Sequence, residues 1–284
     1  MNDLSPLNKE GWDMKKLFIL ILAVLLSLSF LSAITEAKSL DEIKKSGKII
    51  IGGKGDYPPW GVINAQGKFE GWEIDLCNKL AGYLFGDPNK VEYVAVTGGN
   101  RVPFLNSGKI DIIWATMGYT EERAKVVDFS IPYFSSGVQL LVKKGSPIKS
   151  IQDLKGKTVI TIKGTTGAQG LEKLVPDANQ IKFDKTSEAL QALRDDRGVA
   201  FAQDDILLYK LVLEYADYTV VGEVFNPTDW GVGFRKGEND IREYVNESLR
   251  RMYKEKYLHE SLKKWWKGLE LDEYLKRIDA MFKK

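Results

Sequence analysis

The sequence predicts an α/β protein built from two small lobes, each around a mostly parallel sheet. Two observations predict it. Short apolar runs alternate with stretches whose apolar residues recur at helical spacing. The alternation also comes in two successive sets, each too short for an ordinary full domain.

In the first set, residues 48–52 (KIIIG) read as a strand. Residues 74–84 (IDLCNKLAGYL) place Ile74, Leu76, Cys77, Leu80, Ala81 and Leu84 at helical spacing. A strand over 91–96, a short helix over 101–107 ended by Gly108, and a strand over 110–115 follow. The second set opens with a strand over 139–143 and a short helix over 151–154. A strand over 158–162 then runs into Gly164-Thr165-Thr166-Gly167 and a helix. After it come strands over 180–183 and 199–202 and helices over 187–194 and 205–215. Helices over 238–256, 260–266 and 271–282 finish the chain. In the last, Leu271, Tyr274, Leu275, Ile278, Met281 and Phe282 form an apolar stripe that predicts core packing.

The first 37 residues read as an address. Lys15 and Lys16 precede an apolar run over 17–34, and Thr35-Glu36-Ala37 supplies a small-x-small exit. These are the parts of a secretory signal peptide, with cleavage expected after Ala37; the alternative is a retained membrane-anchor helix, for which the run is borderline in length and diluted by Ser27, Ser29 and Ser32. Met14 opens such a peptide in its usual form, so translation is expected to start there. A periplasmic or extracellular location follows.

Composition excludes several chemistries. Cys77 is the only cysteine, so an intrachain disulfide is impossible, and its apolar helical setting predicts a buried, inert thiol. His259 is the only histidine and lies in a charged stretch, where a surface position is expected. A nucleophilic triad or a multi-histidine metal site would have to be built around it alone. Neither a metal nor a cofactor is expected. With a net charge of +2 and no long single-sign run, no nucleic-acid surface is expected either.

Three motifs carry a resemblance. They are Gly71-Trp72-Glu73-Ile74-Asp75-Leu76, then Ser107-Gly108-Lys109-Ile110-Asp111-Ile112-Ile113, then a long core from Thr120-Glu121-Glu122-Arg123 through Val127-Asp128-Phe129-Ser130-Ile131-Pro132-Tyr133-Phe134. In this order and at these separations the chain resembles the extracellular solute-binding proteins of polar amino-acid ABC importers. The resemblance covers roughly residues 40–267. It implies a periplasmic-binding-protein type II fold, two lobes with two hinge crossovers, near 135–138 and 226–232. Lobe 1 would comprise 38–136 plus 230–284 and lobe 2 residues 137–229. A ligand would sit between them as they close. The implied partners are a free amino acid and a membrane ABC permease complex, and a monomer is expected.

A free amino acid presents a carboxylate and an ammonium, and both must be matched once water is expelled. The resemblance assigns the α-carboxylate to Arg123, whose guanidinium offers two parallel donors. The alternative is a surface pair with Glu121 or Glu122. It also assigns backbone N–H groups at Thr165 and Thr166, where a helix begins, to the same carboxylate. Asp204 would take the ammonium, Asp205 would cap the next helix, and Thr116 would offer a carbonyl. Gly118 departs from the pattern, which has Ser or Thr five positions before the arginine. Lys54 and Arg101 occupy side-chain positions that suit a second carboxylate, so aspartate or glutamate is the expected ligand. Arg101 has the alternative of simply bracing its loop. Tyr57 and Trp60 are expected to wall the pocket. A different class of function, a dehydratase of the same fold acting on a cyclic carboxylate such as prephenate, would need a general acid facing the leaving group. No carboxylate stands out for that task.

Overall fold

A computed structural model describes residues 38–266 and 271–283. The signal peptide, its cleavage point and the start at Met14 lie outside the described residues. Helix α1 (Leu40–Ser46) opens on a capping box, in which Ser39 and Glu42 satisfy each other's end of the helix. Strand β1 (Ile49–Gly53) follows, then a small antiparallel meander of β2 (Asp56–Tyr57), β3 (Gly61–Ile63) and β4 (Phe69–Glu70). Helix α2 (Trp72–Phe85), β5 (Val91–Ala95), α3 (Arg101–Asn106), β6 (Ile112–Trp114), α4 (Glu121–Ala124) and β7 (Asp128–Phe129) complete the first set.

Strand β8 (Phe134–Lys143) leads into the second set. A 3₁₀ turn (Ile151–Leu154), β9 (Thr158–Ile162), α5 (Thr166–Leu174), β10 (Asn179–Phe183), α6 (Thr186–Arg194), β11 (Ala200–Asp204) and α7 (Asp205–Glu214) follow. Strand β12 (Tyr218–Trp230) returns to β13 (Gly233–Phe234) and to α8 (Asn239–Lys254), α9 (Tyr257–Trp265) and α10 (Asp272–Phe282).

Two five-stranded sheets result, ordered β5-β1-β6-β13-β7 and β10-β9-β11-β8-β12. In the first, β1 runs parallel to β5 and β6; in the second, β9 runs parallel to β10 and β11. Parallel strands are covered on both faces, which is why β6 is buried at every position and the sequence reads as unbroken apolar runs. In such sheets the loops at the carboxyl ends of the strands form a crevice. Lys54 follows β1, Thr116 lies just past β6, Gly164–Thr166 follow β9, and Asp204 ends β11. The two sheets therefore present their loop-bearing ends from separate halves of the chain.

The two crossovers pair with each other. Phe134 to Ser136 of β8 oppose Trp230 to Thr228 of β12, antiparallel, before both strands continue into the second sheet. Strand β12 was not expected from the sequence. Gly222 at a φ of 79° and Asn226 at 46° break its alternation, and its register shifts twice. The meander was missed because strands of two or three residues show no period.

Helix α10 packs as its stripe predicted. Ile278 is fully buried, and Tyr274 stacks on Phe134 at 6.3 Å. Arg277, on the same helix, reaches the crossover and pairs with Asp205 at 3.0 Å. Asp205 is not the expected cap. It is the first residue of α7, and its buried carboxylate also accepts from Ser136 Oγ at 2.6 Å and from Ile206 N. Replacing Arg277 by alanine leaves that carboxylate buried without its cation. An expected loss of about 2 kcal/mol, moderated because the arginine is partly exposed, should appear in denaturant unfolding. An unchanged midpoint would contradict this role.

Cys77 is buried in α2, and burial pushes its thiol well above the usual range. His259 is half-buried rather than at the surface, with Nε2 3.0 Å from Asp279 Oδ1. Among the described residues no helix is long and apolar enough to cross a membrane.

Candidate functional site

Lys54, Tyr57, Arg101, Thr116, Arg123, Thr165, Thr166 and Asp204 line one cleft between the two sheets, together with Gly98, Ile162, Thr186 and Gln203. Among the described residues, three hydrogen bonds join its sides. Tyr57 Oη donates to Asp204 Oδ2 at 2.6 Å, Thr186 N donates to Asp56 Oδ2 at 2.8 Å, and Arg123 Nη2 donates to Gly164 O at 2.8 Å. Gly98 and Gly164 meet backbone to backbone: a Cβ on Gly98 would lie 2.5 Å from Lys163 O, and one on Gly164 2.5 Å from Gly98 O. Only glycine permits that approach.

Local structure aims each group. Thr120 caps α4 by accepting from Arg123 N, which fixes the turn carrying the guanidinium. Arg123 is buried, and its Nη1 and Nη2 donate to Gly118 O and Gly164 O. These contacts replace the surface pair with Glu121 or Glu122 weighed from sequence. Burial lowers its pKa to about 9, with Arg101 nearby adding to the effect. Thr165 caps α5 by accepting from Ala168 N, and Thr165 and Thr166 at this helix start both line the cleft. Asp204 is buried, and burial raises its pKa to about 6 while Tyr57, Arg123 and Thr166 pull it back. Together, Arg123 with the α5 terminus and Asp204 with Thr166 offer an anion receptor beside a cation receptor.

The other basic residues are engaged. Arg101 Nη1 donates to Ala115 O at 2.8 Å and to Thr116 O at 3.5 Å, so it braces the loop after β6. Lys54 Nζ lies 3.3 Å from Asp56 Oδ1 and over the Tyr57 ring. Thr116 holds a φ of 46°, unusual for a β-branched residue. Its N–H donates to Glu73 Oε1 at 2.9 Å, and Tyr133 Oη donates to the same oxygen. Glu73 is fully buried in α2, and burial raises its pKa to about 7 against the pull of those donors, Lys54 and Arg101.

Trp60 does not line the cleft. It is fully buried among Trp72, Phe134, Trp230 and Trp266, with ring centroids 4.5–5.9 Å away. Trp60 N donates to Tyr57 O, a tight turn that sends the two rings to different neighbours, one to the cleft and one to the aromatic core. Gly118 contributes its carbonyl to Arg123. Sequence reasoning missed Gln203, Thr186 and Glu73. Gln203 directly precedes Asp204, and Glu73 sits inside the quoted Gly71-Trp72-Glu73-Ile74-Asp75-Leu76 motif, so both signals were present. Among the described residues no group of three or more His, Cys, Asp or Glu side chains could hold a metal ion.

Residues 49–268 match the model of the bacterial extracellular solute-binding proteins, family 3. A glutamine-binding protein of Geobacillus stearothermophilus is 44% identical over 200 residues, 70% of this chain and 76% of the relative. The ABC transporter glutamine-binding protein GlnH of Bacillus subtilis is 37% identical over 253 residues, 84% and 93% of the two. Among solved structures, the cysteine-binding protein of Campylobacter jejuni is similar at a TM-score of 0.79 and 35% identity, covering 82% of this chain and 96% of that one. These relatives are binding proteins rather than enzymes. The fold is shared with the solved structure, and the chain belongs to the family 3 solute-binding proteins, the amino-acid-binding components of ABC importers.

Proposed function

We propose that the protein captures one free L-amino acid with an uncharged polar side chain, glutamine first, and delivers it to a membrane ABC permease. Arg123 and the start of α5 hold the α-carboxylate, and Asp204 with Thr166 holds the α-ammonium. Ligand bridging both halves favours the closed form that a transporter recognises. Signal-directed export to the periplasm or outer face belongs to the same reading.

The observation that carries the choice of ligand is charge balance. Lys54, Arg101 and Arg123 stand against Asp56, Glu73 and Asp204 in and behind the cleft. A zwitterion with a neutral side chain leaves that balance intact, whereas a second carboxylate adds an uncompensated buried charge. Lys54 and Arg101 are also engaged with Asp56 and main-chain carbonyls, which removes the main sequence argument for aspartate or glutamate. The glutamine-binding relatives point the same way. An acidic ligand is the second reading, favoured by Glu73: at a pKa of about 7 it can take up the proton that an extra carboxylate would require.

A thermal-shift panel of free amino acids at pH 7.5 tests this, since a ligand at 100 times its Kd stabilises by about 2.7 kcal/mol. The largest rise is expected with glutamine. A larger rise with glutamate or aspartate would favour the second reading, and no rise with any amino acid would refute both.

A further inference from the structure

The backbone at Gly118 is crowded from the second crossover. A Cβ on Gly118 would lie 2.3 Å from Thr228 Oγ1 and 3.0 Å from Thr228 Cβ. The Thr228 hydroxyl therefore stands where a side chain at position 118 would project. On the other side of the same point lies Thr166 Cγ2, at 3.3 Å. Thr166 Oγ1 is in turn 3.3 Å from Asp204 Oδ1. Thr228 Oγ1 and Thr166 Cγ2 thus flank the same point, and Thr166 and Asp204 line the cleft.

That hydroxyl is buried and has no hydrogen-bond partner among the described residues. Such a group ordinarily costs stability unless a partner completes it. Its position is not loose. Tyr119 N donates to Asp229 O at 2.7 Å, and Gly231 N donates to Met117 O at 3.1 Å. Residues 117–119 and 229–231 are thereby tied on either side of the contact. Thr228 itself pairs with Ser136 across β8. A β-branched side chain held by so fixed a backbone has little rotamer freedom.

We propose that Thr228 is a ligand-recognition residue whose hydroxyl accepts a hydrogen bond from the α-ammonium of the bound amino acid. The second crossover then does more than connect the halves. It carries a contact to the ligand, so its strand must be seated for the ammonium to be fully matched. Gly118 and Thr228 act as a pair, the glycine making room for the threonine. The inference rests on the amino-acid reading proposed above.

Calorimetric titration of the purified protein with L-glutamine, or with whichever amino acid the panel selects, tests it through three variants. Thr228→Val keeps the shape and removes the hydroxyl, and an affinity about tenfold weaker is expected. Thr228→Ser keeps the hydroxyl and should bind within about threefold of the parent. The exchange Gly118→Ser with Thr228→Gly returns a hydroxyl from the opposite side and should recover most of the loss. Parent-like affinity in Thr228→Val overturns the proposal. An equal loss in Thr228→Ser, or no recovery in the exchange, makes the contact one of packing and overturns it too. A parent protein that binds no amino acid refutes the functional reading itself, and that outcome is separable because it precedes any variant.

Discussion

Replacing Arg123 by alanine is expected to weaken amino-acid binding by about 4 kcal/mol, roughly a thousandfold, with no loss of stability in the empty protein. The size follows from what the guanidinium does. It is buried, it tethers Gly118 O on one side of the cleft and Gly164 O on the other, and it keeps further N–H donors for the carboxylate proposed to bind there. Alanine removes the ligand's counter-charge and one of the three hydrogen bonds that hold the sides together. The empty protein should not suffer, because burial disfavours this charge, as its lowered pKa of about 9 indicates. Arg123→Lys keeps a charge but cannot bridge both carbonyls and still meet two carboxylate oxygens, so an intermediate loss is expected. Calorimetry and a thermal melt of the unliganded variant check both halves of this prediction. Unchanged affinity in Arg123→Ala would remove the arginine from the site.

Asp204 should make binding depend on pH. An ammonium requires the ionised carboxylate, and burial has moved its pKa up to about 6. Affinity is therefore expected to be level above pH 7 and to fall by up to tenfold per unit below about 6. Stability of the empty protein has the opposite sign. The folded pKa of about 6 exceeds the ordinary 3.8, so the folded state holds its proton more firmly than the unfolded chain. Ionised Asp204 thus costs stability above pH 6, and that cost fades as pH drops from 6 towards 4. Asp204→Asn should flatten the acid limb of the binding profile and lower affinity at pH 7.5 by about 3 kcal/mol, while leaving the empty protein as stable or more so. Glu73, with a pKa of about 7, titrates close by, and the asparagine variant separates its contribution. An acid limb that persists in Asp204→Asn would assign it to Glu73 instead.

Much of this site was legible because function is concentrated at the ends of parallel strands. Apolar runs buried on both faces are plain in sequence, and Lys54, Thr116, Thr165 and Asp204 lie directly after or at the end of such runs. Charged residues in short loops after such strands have few places to go but the crevice. What was not legible depends on direction rather than position. Tyr57 and Trp60 are three residues apart on one turn, yet only Tyr57 faces the cleft. Arg101 and Lys54 stand where expected, but their partners, two carbonyls and Asp56, come from folding and not from spacing. Glu73 read as one polar position on a helix, and its burial against Thr116 and Tyr133 needs the packing of α2 on β6 and on the residues before β8. The departure at Gly118 was visible in the sequence, while its counterpart in β12 was not, because 110 residues separate Gly118 from Thr228 and the strand itself was not foreseen.

This cleft is proposed to close on a single free amino acid with a neutral polar side chain. Isothermal titration of the purified protein with L-glutamine at pH 7.5 tests it most directly. A saturable heat with one glutamine bound per chain, and at least tenfold weaker binding of glutamate, is expected. No heat with glutamine or with any other free amino acid, from a protein that melts cooperatively, would contradict it.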